Sequence, residues 1–148
     1  MKIILLNTAA SKHHPTLKQF QSWVNAVLRE ISTPKKTVTI NLVDKTTSAS
    51  LNKTYRQKEY PTNVLSFHYD AMPGIKTNSL GDLVLCVDIV KAEAIAQNKS
   101  LESHWAHLTI HGMLHLLGYD HVTDIDAQIM EPLEIKILNA LGFEDPYS

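Results

Sequence analysis

The chain opens on a short apolar run, Ile3 to Leu6, which Asn7 interrupts. That run is about half the shortest usual apolar stretch of a secretory leader, so it reads as a first β-strand, Lys2 to Leu6. After Pro15, the residues Leu17, Phe20, Val24, Val27, Leu28 and Ile31 recur at mostly three- and four-residue steps. This predicts an amphipathic helix with its apolar stripe packed on a sheet. Between Thr37 and Val43, the apolar Val38, Ile40 and Leu42 alternate with Thr37, Thr39 and Asn41, the period of two that marks a half-buried strand. A short helix follows from about Thr47 to Tyr55.

Two β-rich runs come next, Val64 to Tyr69 and Gly81 to Cys86, joined by a loop with Pro73, Gly74 and Asn78. Turn chemistry between two such runs predicts a hairpin-like antiparallel pair. Asp88 is placed to cap a third helix, Ile89 to about Gln97, and Ser100 to cap a fourth, which stops near Gly118 because glycine accepts the left-handed backbone that ends helices. Thr123 or Asp124 starts a last helix that ends before Gly142. Pro132 lies inside it, removing a hydrogen-bond donor and crowding the preceding turn, so a kink or break is expected there. The order β-α-β-α-β-β-α-α-α, with helices grouped late, is that of an α+β fold with a small mixed sheet of about four strands and about five helices.

Composition narrows the partners. A length of 148 residues suits one domain, residues 1–148. The 44% apolar and 20% charged fractions are ordinary, and no apolar run approaches the roughly 18 residues of a membrane span. The single cysteine, Cys86, sits in the apolar run LVLCV; it reads as a buried thiol and fits a reducing cytoplasm. With a net charge of −1, the chain lacks the clustered basicity that binds nucleic acid by charge alone, so any RNA reading must rest on a local site.

The histidines suggest such a site. His104, His107, His111 and His115 fall three or four apart on one helix face. With a rise of about 1.5 Å per residue, His111 and His115 lie roughly 6 Å apart along the axis, near enough for two imidazoles to meet one ion; His104 is roughly 16 Å from His115 and is not. His107 with His111 has suitable spacing too. The later pair is preferred because Gly118 lets the chain reverse and return His121 toward it. A chance HxxxH is expected about 0.4 times with this many histidines, whereas the full HxxxHxxGxxH is far more specific. Crowded imidazoles are also poor core or surface residues, since protonation would set them against one another.

The reading is therefore a metal site made by His111, His115 and His121, with His104 and His107 as core residues or as supports behind the ligands. Three neutral nitrogens leave a tetrahedral ion one open position, the arrangement of a catalytic zinc. Imidazole also suits nickel, copper and iron, so the residues do not choose the metal. The undiminished double charge would attract an anionic substrate such as a phosphodiester and lower the pKa of water from about 15.7 toward about 7.

The spacing matches that of the metzincin proteases, HExxHxxGxxH, but Gly112 stands where their general-base glutamate belongs, which argues against peptide hydrolysis of that type. Instead HGMLHLLGYDH resembles the signature of the YbeY family, bacterial metal-dependent endoribonucleases of ribosomal RNA maturation. The resemblance runs through most of the chain, in LNKTYRQKEYPTNVLSF (Leu51 to Phe67), SLGDLVLC (Ser79 to Cys86), HWAHLTIHGMLHLLGYDH (His104 to His121) and ALGFEDPY (Ala140 to Tyr147). It implies a zincin-like α+β fold, zinc on His111, His115 and His121, and an essential arginine at Arg56. It also implies single-stranded ribosomal RNA as substrate, 3′-end trimming of the small-subunit RNA, ribosome quality control, and the ribosome or small subunit and an Era-type GTPase as partners. His68, where many members have proline, and Pro132, in place of a helix former, depart from the pattern.

Taken alone, Arg56 between Tyr55 and Gln57 reads as a solvated surface residue, although a guanidinium grips phosphate well through paired hydrogen bonds. Lys53 and Lys58 could extend a phosphate track or simply face solvent. Asp120 could orient a ligand histidine or cap the next helix, and Asp82 could close a turn or approach the site. Tyr55 and Tyr119 are stacking candidates or structural tyrosines. Two other functions fit the same residues: a different zinc hydrolase such as a peptidase, with a carboxylate base from elsewhere, and a non-catalytic ribosome-assembly factor with a bound metal.

Overall fold

The computed structural model describes residues 1–56, 62–68, 78–120 and 123–147, without the side chains of Tyr55 and Arg56. The alternating stretch Thr37–Val43 forms strand β2, and Val38, Ile40 and Leu42 are fully buried on one of its faces. Around it, in chain order, lie β1 (Lys2–Asn7), α1 (Leu17–Glu30), α2 (Lys45–Arg56), β3 (Val64–Phe67), β4 (Ser79–Cys86), α3 (Val87–Ala96), α4 (Leu101–Leu116) and α5 (Asp124–Ala140). The sheet order is β1-β2-β4-β3. β2 pairs parallel with both β1 and β4, whereas β3 and β4 are antiparallel, with Leu65 opposite Val84. This is the mixed sheet and the antiparallel pair expected above.

The two faces of the sheet bury different sets. Ile3, Val38, Ile40, Leu83 and Leu85 meet α1 and α4, with α5 packed outside them. On the other face Val43, Leu65, Val84 and Cys86 form a smaller cluster under Leu51 of α2 and Ile89 of α3. Cys86 is buried there, and burial raises its thiol pKa, as the apolar run LVLCV implied.

α1 departs from expectation in its footing. Its stripe turns chiefly onto α4 rather than onto the sheet, with Phe20 meeting Trp23 and Trp105 edge-on at 5.5 and 6.2 Å, while Leu17 is half exposed. Aromatic edges supply contact that a strand face would otherwise give.

Two expectations are corrected. Asp88 does not cap α3; β4 runs straight into the helix, the cap position falls on Cys86 without a side-chain bond, and Asp88 lies in the first turn, where a carboxylate still favours the helix dipole. Pro132 does not break α5, which is continuous from Asp124 to Ala140. Pro132 and Gln128, whose carbonyl loses its donor, are both exposed, so water can satisfy that carbonyl while Met130, Glu134, Ile137 and Leu138 hold the buried face on both sides.

Candidate metal centre

α4 carries the histidines through the middle of the molecule. It is apolar on most sides, and Trp105, Ala106, Leu108, Ile110, Met113 and Leu114 are all buried, because it lies between the sheet and the pair α1 and α5. Ser100 accepts a hydrogen bond from Ser103 N at 3.1 Å and so caps the start. At the end Gly118 adopts φ +103°, and Tyr119 N returns to Leu114 O at 3.0 Å, the left-handed stop expected of that glycine.

Three of the histidines have distinct settings. His104 is 3% exposed, and its Nε2 lies 3.0 Å from Glu93 Oε1; that carboxylate also accepts from Asn63 Nδ2 at 3.0 Å. His104 thus joins α3, α4 and the segment before β3, and is a core residue. Burial, opposed by Glu93, holds its imidazole below the ordinary value of 6.5. The unfolded chain therefore binds a proton there before the folded chain does, and His104's contribution to stability is full above pH 6.5 and is lost as pH falls below it. His104→Gln retains a donor for Glu93, and its unfolding free energy is expected to fall less than that of the wild type between about pH 7 and about pH 5. Urea titrations at both values check this, and equal falls would clear His104 as the source.

His107 and His111 share one acceptor. Glu134, on α5, is completely buried. His107 Nε2 lies 3.0 Å from Glu134 Oε2, His111 Nδ1 lies 2.5 Å from Oε1, and the Tyr147 hydroxyl donates to Oε2 at 2.7 Å. Burial would raise this carboxyl, but the donors from His107, His111 and Tyr147 outweigh it and hold the pKa down to about 2. Burial and the adjacent carboxylate push the Tyr147 hydroxyl well above the usual phenol range, so it stays a donor.

The two rings use opposite nitrogens. His107 spends Nε2 on Glu134, and its Nδ1 is buried with no partner among the described residues. His111 spends Nδ1, which leaves Nε2 facing the cleft. Donation from Nδ1 to a carboxylate fixes the neutral tautomer whose lone pair is on Nε2. That Nε2 lies 3.1 Å from Nε2 of His115. Two nitrogens bound to one zinc at about 2.0–2.1 Å each are roughly 3–3.4 Å apart. The spacing of His111 and His115 therefore fits a shared metal ion, whereas His107 spends its Nε2 on Glu134.

A second grouping is also present. Ligand-capable atoms of His107, His111 and Glu134 lie within 4.8 Å of one another and could hold an ion. Their short contacts are equally those of two N–H donors on one carboxylate, the usual support behind a metal-bound histidine.

The cleft beside these groups encloses about 720 Å³, with Asn63, Ser66 and His68 on the β3 side and Tyr119, Asp120 and Tyr147 on the other. His68, the departure from the family pattern, is thus a rim residue. Asp82 pairs with Phe67 and Thr39 in the sheet and does not line the cleft. His121, Lys58 and the side chains of Arg56 and Tyr55 lie outside the described residues; the backbone of Arg56 ends α2. Sequence reasoning missed Glu134. Its signal was a carboxylate in line with Met130, Ile137 and Leu138 on the buried stripe of α5, where an acid is rarely found unless paired.

A histidine pair on a buried helix, backed by a carboxylate and opening on a cleft, is an arrangement that could hold a metal ion. The family model described as Endoribonuclease YbeY matches residues 6–142. The chain belongs to that family, as its histidine signature implied, and so stands among nucleases that hydrolyse RNA. The solution structure of TM1509 from Thermotoga maritima is similar over 99% of both chains, with a TM-score of 0.58 and 23% sequence identity, and it has the same fold. No helix among the described residues is long and apolar enough to cross a membrane.

Proposed function

We propose that the chain is a zinc-dependent endoribonuclease specific for single-stranded RNA, acting in the cytoplasm in 3′-end maturation of small-subunit ribosomal RNA and in ribosome quality control. The observation that carries this reading is the approach of His111 Nε2 and His115 Nε2 to 3.1 Å at the wall of an open cleft. In it His111, His115 and His121 hold the ion and Arg56 takes the scissile phosphate. A bound zinc supplies Lewis-acid polarisation of a phosphoryl oxygen and acidifies water.

The remaining work belongs to the chain. Glu134 keeps the Nδ1 proton of His111 and so presents the Nε2 lone pair to the cleft. A guanidinium at Arg56 would bind two phosphate oxygens at once and stabilise charge that develops on them. A cleft of about 720 Å³ lies within the range that encloses one small ligand, which favours an unpaired strand over a duplex. The net charge of −1 supplies little general affinity for RNA. This supports delivery by partners, namely the ribosome or its small subunit and an Era-type GTPase.

The test is cleavage of a single-stranded fragment from the 3′ end of small-subunit ribosomal RNA, with metal content measured on the same samples. The wild type is expected to cut. His115→Ala is expected to lose both metal and cleavage, and Arg56→Ala to keep the metal while cutting about 100-fold more slowly. Equal cutting by all three preparations would assign the activity to a contaminant.

A further inference from the structure

The carboxylate behind the histidines is held from a third direction. After α5 the chain turns at Gly142, and Phe143 N returns to Leu138 O at 2.9 Å. The closing segment is then tied down by Lys99 Nζ, which donates to Pro146 O at 3.0 Å, and by Tyr147 N, which donates to Asp145 Oδ1 at 2.7 Å. This brings the Tyr147 hydroxyl to Glu134 Oε2 and sets its ring edge-on to His107 at 5.5 Å.

We propose that Tyr147 is a positioning residue for the metal-binding histidines: the segment after α5 latches its hydroxyl onto Glu134, and the carboxylate so held fixes the ring of His111. The inference rests on the reading of His111 as a ligand and assigns to the closing segment a part in the site. Its geometry is that of a carboxylate with its two oxygens assigned. Oε2 receives both His107 and Tyr147, while Oε1 receives His111. Two donors on Oε2 fix rotation of the carboxylate, and with it the direction in which Oε1 meets His111 Nδ1. Without the hydroxyl, one donor remains on Oε2 and the carboxylate can turn. Tyr147→Phe keeps the ring and removes only the hydroxyl with its bond to Glu134, so a purely structural role would lower stability without changing the zinc affinity or the His111 proton of the folded protein.

The experiment compares wild type, Tyr147→Phe and Lys99→Met, the last releasing the segment at Pro146. Zinc affinity is measured by competition with a chromophoric chelator, and exchange of the His111 Nδ1 proton by nitrogen-15 NMR on the metal-free proteins. Tyr147→Phe is expected to bind zinc about 3- to 10-fold more weakly, one step further from the ion than residues that touch its ligands. The His111 proton should exchange faster in a protein that remains folded by circular dichroism, and Lys99→Met should shift both readouts the same way. Wild-type values for both variants would overturn the proposal, as would weaker zinc binding that appears only together with loss of fold. If the wild type itself takes up no zinc, the metal reading fails, and the His111 proton alone decides whether the latch exists.

Discussion

Replacing Glu134 with glutamine is expected to weaken zinc binding by about 10- to 100-fold and to destabilise the metal-free protein by about 3 kcal/mol. Glutamine has the shape of the original side chain, so the change isolates charge and hydrogen-bond direction. Glu134 accepts on both oxygens, from His107 and Tyr147 on one and from His111 on the other. A glutamine offers one acceptor oxygen and an NH2 group, and whichever way it turns, at least one donor faces another donor in a fully buried place. If its oxygen stays with His107 and Tyr147, His111 loses the bond that fixes its tautomer, and its Nε2 no longer reliably carries the lone pair. If it turns to His111, the other two donors are stranded. Chelator competition gives the first effect and urea unfolding of the metal-free protein the second. Unchanged zinc affinity would mean that His111 is held by something other than this carboxylate.

Glu134 also marks the limit of what the residue pattern discloses. The helix of the histidines could be read because its information is local: Ser100 caps it, Gly118 ends it, and the three- and four-residue spacing puts His111 beside His115. The alternation of Val38, Ile40 and Leu42 likewise identified the interior strand. Pairing between His111 and Glu134 spans 23 residues and depends on how α5 lies across α4, which no local period records. Asp88 misled because a polar residue near a helix start resembles a cap, whereas the absence of a loop after β4 put Cys86 in that place. Pro132 leaves α5 unbroken because its cost depends on whether the freed carbonyl reaches water, and exposure is a tertiary property. His107 and His111 are chemically identical in the sequence, and only the structure shows that one ring meets Glu134 through Nε2 and the other through Nδ1.

The same dependence on packing decides the question raised by the protease spelling. Gly112→Glu, which turns HGMLH into the HExxH of the metzincins, is expected to abolish folding, with a loss of about 4 kcal/mol or more and no gain of peptide hydrolysis. Position 112 faces the sheet: a Cβ there would lie 2.7 Å from Leu83 Cδ2 and 3.3 Å from Val64 Cγ2. Leu83 is fully buried in β4. Alanine would force the Leu83 methyl, at 2.7 Å, to shift out of a contact that real side chains do not tolerate, a strain of about 1–3 kcal/mol. Glutamate asks for room for a whole side chain between helix and sheet and leaves its carboxylate against Leu83 and Val64. Circular dichroism melts of the wild type, Gly112→Ala and Gly112→Glu should therefore rank in that order of stability, and a panel of peptides should remain uncut by all three. A folded Gly112→Glu that cleaves peptides would show that the glycine is a choice of chemistry; the close approach of α4 to β4 makes it first a requirement of the fold, and the absence of the protease base follows from that.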